Sequence, residues 1–180
     1  AEGGADAAFH RGKLFFDASH FEEARVAFTE LTEADGAHLA GWNMRAMCEL
    51  TTGRHAAALE SFRAALGVEP DFAEGLLNQG QAYATIGSHA EALASWKKAL
   101  MAVQRGKGGA AAAAIRARVY LLRSRLHYAR GDTTNTIADA RQVLGLDDDP
   151  RNAADALHQV ALACAARGEY READKTLGRI

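Results

Sequence analysis

Gly80-Gln81-Ala82-Tyr83-Ala84-Thr85-Ile86-Gly87-Ser88-His89-Ala90-Glu91-Ala92-Leu93-Ala94-Ser95-Trp96-Lys97-Lys98-Ala99 is the stretch on which the fold turns. Gly87 separates two alanine-rich segments, each with the residue types of a helix. Gly53 lies 34 residues before Gly87, and the same spacing links Ala58 to Ala92, Phe62 to Trp96 and Ala65 to Ala99. A further 34 residues upstream, Ala24, Phe28 and Leu31 fall in the same slots. Gly12 and Phe15 fall opposite Ala46 and Glu49, then Gly80 and Tyr83. Downstream, ten extra residues bring Gly131, Ala140 and Val143 into the frame, and three more bring Gly168, Ala173, Leu177 and Ile180.

Helix-on-helix packing accounts for the pattern. A small residue on each of two antiparallel helices lets them approach closely, and the large residues fill the space against the next pair. Glycine at the corner ends the first helix where left-handed backbone is cheapest. Pro70 and Pro150 fall only between units, where a missing N–H does no harm. One hairpin buries too little by itself, so stability has to come from stacking neighbours.

Composition agrees and excludes other classes. Alanine occupies 41 of 180 positions and aromatics make up 7%, which favours helix over strand. The net charge of -2 lacks the concentrated basic face of a nucleic-acid binder. No apolar run approaches the roughly 20 residues of a membrane span, and no signal, acyl or prenyl motif stands at either end. Cys48 and Cys164 sit far apart inside apolar helical patterns and read as free buried thiols. These features favour a soluble chain, cytoplasmic or organellar in preference to secreted.

The 34-residue period with these residue types resembles the tetratricopeptide repeat family. Gly80, Tyr83, Gly87, Ala92, Trp96 and Ala99 all sit at family positions, and Gly168-Glu169-Tyr170-Arg171-Glu172-Ala173 is a close variant of the corner motif. The resemblance implies an all-α fold: an α-solenoid of about five stacked antiparallel helix pairs in a right-handed superhelix. One array spans residues 1–180, with repeats at about 5–38, 39–72, 73–106, 117–150 and 154–180 and an insert at 107–116. In the insert, glycines give a flexible connection, and Ala110 to Arg116 extend the next helix by about two turns. The sequence departs from the family at Thr136 (for alanine), at Glu49 and His127 (for a large apolar residue) and at Gln104 (for the turn proline).

No stretch carries the makings of catalysis. His20, His55 and His89 fall on successive corners and do not converge, no two histidines stand four apart, and there is no Cys-x-x-Cys. Asp147-Asp148-Asp149 lacks the alternate-residue spacing of a calcium loop and reads as a solvated turn. The Gly106-Lys107 pair lacks the leading glycine and following hydroxyl of a phosphate loop, and Ser95 and Ser124 have no histidine partner. The expectation is a protein that is not an enzyme and needs no cofactor or metal.

The resemblance implies that the first helix of each repeat lines a concave groove for a partner helix or peptide. The frame places Phe9, His10, Lys13 and Phe16 there from repeat 1, and Asn43, Met44, Met47 and Leu50 from repeat 2. Leu77, Asn78 and Gln81 follow from repeat 3, then Arg118, Leu121, Leu122, Arg125 and Tyr128 from repeat 4, and His158, Gln159 and Leu162 from repeat 5. Arg118 and Arg125, seven apart on one face, could meet acidic groups of a partner. Some relatives clamp the carboxylate tail of heat-shock chaperones. Asn78 and Arg118 match that clamp, but Asn43, Met47 and Leu122 replace its lysine, asparagine and second cation, so this use is disfavoured. Tyr170, Leu177 and Ile180 would leave an apolar end face, suited to docking in a larger complex or to a longer chain. The implied function is a scaffold or adaptor that binds other proteins, not nucleic acid and not membrane. The alternatives are a recruiting arm of a longer enzyme and a co-chaperone-like peptide binder.

Overall fold

A computed structural model describes residues 2–106, 109–146 and 149–178. Ten helices follow one another among these residues, with no strand. They are α1 (Glu2–Asp17), α2 (Phe21–Ala34), α3 (Leu39–Thr51), α4 (His55–Val68) and α5 (Ala73–Thr85), then α6 (His89–Arg105), α7 (Ala110–Ala129), α8 (Thr133–Leu144), α9 (Pro150–Ala166) and α10 (Tyr170–Leu177). The protein is an all-α solenoid of helical hairpins.

The corners show why the chain turns where it does. Gly53, Gly87, Gly131 and Gly168 all carry φ between +76° and +79°, the left-handed region that L side chains avoid. Ser19 fills the equivalent slot of the first hairpin with φ of 63°. At every one of these corners the same long hydrogen bond closes the helix. His20, Arg54, Ser88, Asp132 and Glu169 donate their N–H to the carbonyls of Phe15, Glu49, Tyr83, His127 and Cys164 at 2.7–2.9 Å.

The chain divides into two compact units, residues 1–92 and 93–180. In the first, α1 packs on α2, α2 on α3, α3 on α4 and α4 on α5. Phe28 and Leu31 fill one core with Ala24 and Cys48, and Phe62 fills the next with Ala46, Ala58 and Ala82. The glycine of α1 is required by that packing: a Cβ on Gly12 would stand 2.7 Å from the Phe28 ring. In the second unit, α7 packs on α8 and α9, α8 on α9, and α9 on α10, around Ala117, Ile137, Ala140, Val160, Ala163 and Cys164. The helix α7 runs 20 residues because the alanines from Ala110 onward continue it toward its N-terminus. Lys107, Gly108, Asp147 and Asp148, which the insert and aspartate-run readings include, lie outside the described residues. Asp149 caps α9 by accepting from the Arg151 N–H at 2.9 Å, with Pro150 at the first helical position.

Candidate functional site

The first helices of the first unit, α1, α3 and α5, present a mixed face. Phe9 is half-buried, with its ring 5.8 Å from Phe28 and 5.3 Å from His38, and Phe16 meets Phe21 edge-on at 5.3 Å. Lys13 is exposed and pairs with Asp17 one turn on, at 2.9 Å. Exposed His10 meets the Asp6 carbonyl through Nδ1 at 2.7 Å. Met44 packs beside the Phe28 core, while Met47 and Leu50 lie beside the Phe62 core, all three partly accessible. Gln81 is half-buried. The asparagines behave differently. Asn43 and Asn78 are both buried, and Asn78 Nδ2 donates to Asn43 Oδ1 at 3.1 Å. Leu77, next to Asn78 in sequence, is wholly buried.

The second unit exposes charge. Arg118 is exposed and takes no hydrogen bond or ion pair among the described residues. Arg125, two turns on, reaches Asp155 of α9 through Nη2 at 2.8 Å, with both groups about half exposed. Leu122, Tyr128 and Leu162 are half-buried between and beside these cations, and His158 is exposed. Leu121 and Gln159 are buried. On α10, Tyr170 is 71% and Leu177 48% exposed, whereas Phe28, Phe62 and Trp96 in the slot equivalent to Leu177 are covered. Ile180 lies outside the described residues.

Two buried polar networks occupy the slots where the sequence departs from its own aromatic pattern. Phe15 and Tyr83 mark that slot in the first and third hairpins; Glu49 and His127 take it in the second and fourth. Glu49 is only 2% exposed. Its carboxylate receives Arg45 Nε at 3.0 Å from four residues earlier and the Ser61 hydroxyl at 2.7 Å from twelve residues later. His127 repeats the arrangement with the carboxylate moved to the next helix. Arg123 stands four residues earlier and buried Asp139 twelve later, with Arg123 Nε 3.1 Å and His127 Nε2 3.7 Å from Asp139 Oδ2. On its other side, His127 Nδ1 lies 3.5 Å from Asp132. Burial pushes the Asp139 carboxyl up, against the opposing pull of Arg123 and His127. Hydrogen bonds from the Asn135 side chain and backbone pull Asp132 down. These networks were detectable in the sequence as an arginine four before, and a polar residue twelve after, each missing aromatic.

Reactive groups are scarce. Burial raises the Cys48 thiol to about 12, and Cys164 is raised by the same cause. Among the described residues no group of three His, Cys, Asp or Glu could hold a metal ion, and no helix is long and apolar enough to cross a membrane.

Comparison with known proteins settles the family. The profile described as the tetratricopeptide repeat matches residues 9–67 and again 52–100, together just over half of the chain. The chain belongs to the tetratricopeptide repeat family. A serine/threonine-protein phosphatase T of Trypanosoma brucei brucei shares 43% identity with this chain over 54 residues, 30% of this chain and 11% of the phosphatase. The chain thus spans only about a tenth of that relative. Among solved structures, PilF of Pseudomonas aeruginosa superposes with a TM-score of 0.80 at 18% identity, covering 99% of this chain and 77% of PilF. The second tetratricopeptide domain of Spaghetti (RPAP3), bound to the HSP90 peptide SRMEEVD, superposes with a TM-score of 0.52 at 25% identity, over 54% of this chain and 90% of that domain. The tetratricopeptide fold is consistent with a protein-interaction scaffold.

Proposed function

We propose that this chain is a non-catalytic adaptor whose first helices bind a helix or peptide of another protein, one subunit of a larger assembly. The observation that carries the reading is Arg118, an exposed cation on α7 with no partner among the described residues, set two turns from Arg125, with half-buried Leu122 and Tyr128 on the same helix. A partner segment would bury the apolar side chains, and its acidic groups would take their register from the arginines. In the first unit, Phe9, Phe16, Met44 and Met47 supply adaptable apolar surface, rimmed by Lys13 and Gln81. Asn43, Leu77, Asn78 and Leu121 position these helices from within. Tyr170 and Leu177 offer a second contact at the exposed face of α10.

A photo-crosslinking amino acid at Met47 or Arg118, installed in the full chain in its own cells, tests this. Adducts to one protein from both positions, and none from exposed Val68 on α4, are expected. Arg118→Glu with Arg125→Glu is expected to abolish the α7 adduct while leaving helicity intact. Equal labelling from Val68, or undiminished labelling in the double variant, would refute the reading. The likeness to phosphatase T favours one second reading, a recruiting arm for an enzyme; co-purification of a catalytic partner or domain at fixed stoichiometry would select it.

A further inference from the structure

His127 also lies at the edge of a cavity in the second unit. Three helices each bring a pair one turn apart to this place: Leu93 and Lys97 from α6, Arg123 and His127 from α7, Asn135 and Asp139 from α8. A cavity of about 280 Å³ opens between them, lined by Leu93, Lys97, Arg123, His127 and Asn135. That volume suits one small polar group with a short carbon stem.

Its donors are unevenly used. Asp139, 5% exposed, has Arg123 Nε at 3.1 Å and His127 Nε2 at 3.7 Å from its Oδ2. The Arg123 side chain is 26% exposed and its guanidinium carbon stands 5.5 Å from the Tyr120 ring centroid, which fixes the plane of the group. Neither Nη of Arg123 has a hydrogen-bond partner among the described residues, and Lys97 has no partner there at all. His127 is held between Asp132 and Asp139, and Asn135 already donates to Asp132 from its backbone and side-chain nitrogens at 3.1 and 2.6 Å. The cavity therefore offers the two Nη groups of a planar fork and a point cation, none with an acceptor among the described residues, beside the apolar wall of Leu93.

We propose that this cavity is a carboxylate-binding site, with Lys97 and the Arg123 fork holding the anion and Leu93 packing on its carbon stem. A carboxylate matches the fork in plane and spacing. With Asp139 and Asp132 both close by, a singly charged carboxylate meets less repulsion than a phosphate dianion would. The carboxylate can come from an acidic side chain of a partner or from a free small organic acid.

The test is a titration of the full chain with sodium butyrate at constant ionic strength, followed by amide chemical shifts. Saturable shifts confined to the neighbourhood of residues 93, 97, 123, 127 and 135 are expected, with none from neutral butyramide. Lys97 is exposed, so Lys97→Gln keeps the fold and is expected to weaken butyrate about tenfold. A blocked pentapeptide with central glutamate, set against its glutamine counterpart, separates the sources. Tighter binding of the glutamate peptide than of butyrate assigns the site to a partner's side chain; equal binding assigns it to free acids. Identical shifts with sodium chloride alone, unchanged affinity in Lys97→Gln, or inorganic phosphate binding more tightly than butyrate would each overturn the proposal.

Discussion

Glu49 offers a demanding test of how the repeats tolerate a charge in an aromatic slot. Glu49→Ala removes a buried carboxylate that receives Arg45 at 3.0 Å and the Ser61 hydroxyl at 2.7 Å. The two partners do not suffer equally. Arg45 is partly exposed and keeps its contact to Thr32 Oγ1 at 3.4 Å, so the lost ion pair costs about 1 kcal/mol or less. Ser61 is almost wholly buried and loses its charged acceptor, which costs roughly 1–3 kcal/mol. The emptied volume adds about 1 kcal/mol. The expected destabilisation is thus about 2–5 kcal/mol, local to α3 and α4. Ser61→Ala in the Glu49→Ala background removes the orphaned hydroxyl and should recover about 1 kcal/mol, a coupling that independent sites would not show. Because a repeat array need not unfold in one step, amide hydrogen exchange in α3 and α4 is the assay, supported by urea unfolding. Strictly additive effects, or a Glu49→Ala protein within about 1 kcal/mol of the parent, would show that the network contributes little beyond filling space.

Further outcomes follow from the same geometry. At the corners, Gly53→Ala should cost about 1 kcal/mol, since no atom lies within 4 Å of the added Cβ and the penalty is that of left-handed backbone alone; Ser19→Gly should not destabilise, and the reverse order of midpoints in urea would refute the corner argument. Asp139 carries a raised carboxyl, so the folded state keeps its proton at pH values where the unfolded chain has lost it. Its contribution to stability therefore falls as the pH rises from the ordinary carboxylate range through the folded value, and Asp139→Asn should remove that part of the pH slope in unfolding midpoints. Cys48 and Cys164 should resist a disulfide-exchange reagent in the native protein and both react in urea; rapid native labelling of Cys48 would contradict its burial and raised thiol.

The residues that specify this fold do so locally. A left-handed corner needs glycine almost regardless of its surroundings, and alanine favours helix wherever it stands, so Gly53, Gly87, Gly131 and Gly168 mark the hairpins from the sequence alone. Phe28, Phe62 and Trp96 mark the covered slots in the same way, because a large apolar residue repeated at one interval has only one face to fill. What each first helix shows to a partner could not be read so directly. Asn43, Leu77 and Leu121 share a repeat slot with half-buried Phe9, and Asn78 shares one with exposed His10, so only the approach of adjacent helices decides which are covered. The fate of the missing aromatics was also a tertiary matter. A glutamate in a core slot is unfavourable until an arginine on its own helix and a serine on the next meet it at bonding distance, and His127 in the same slot lies between the carboxylates of Asp132 and Asp139. Period and corner chemistry act between near neighbours in the chain and are written in it; burial, pairing and the cavity beside His127 depend on which side chains distant segments bring together.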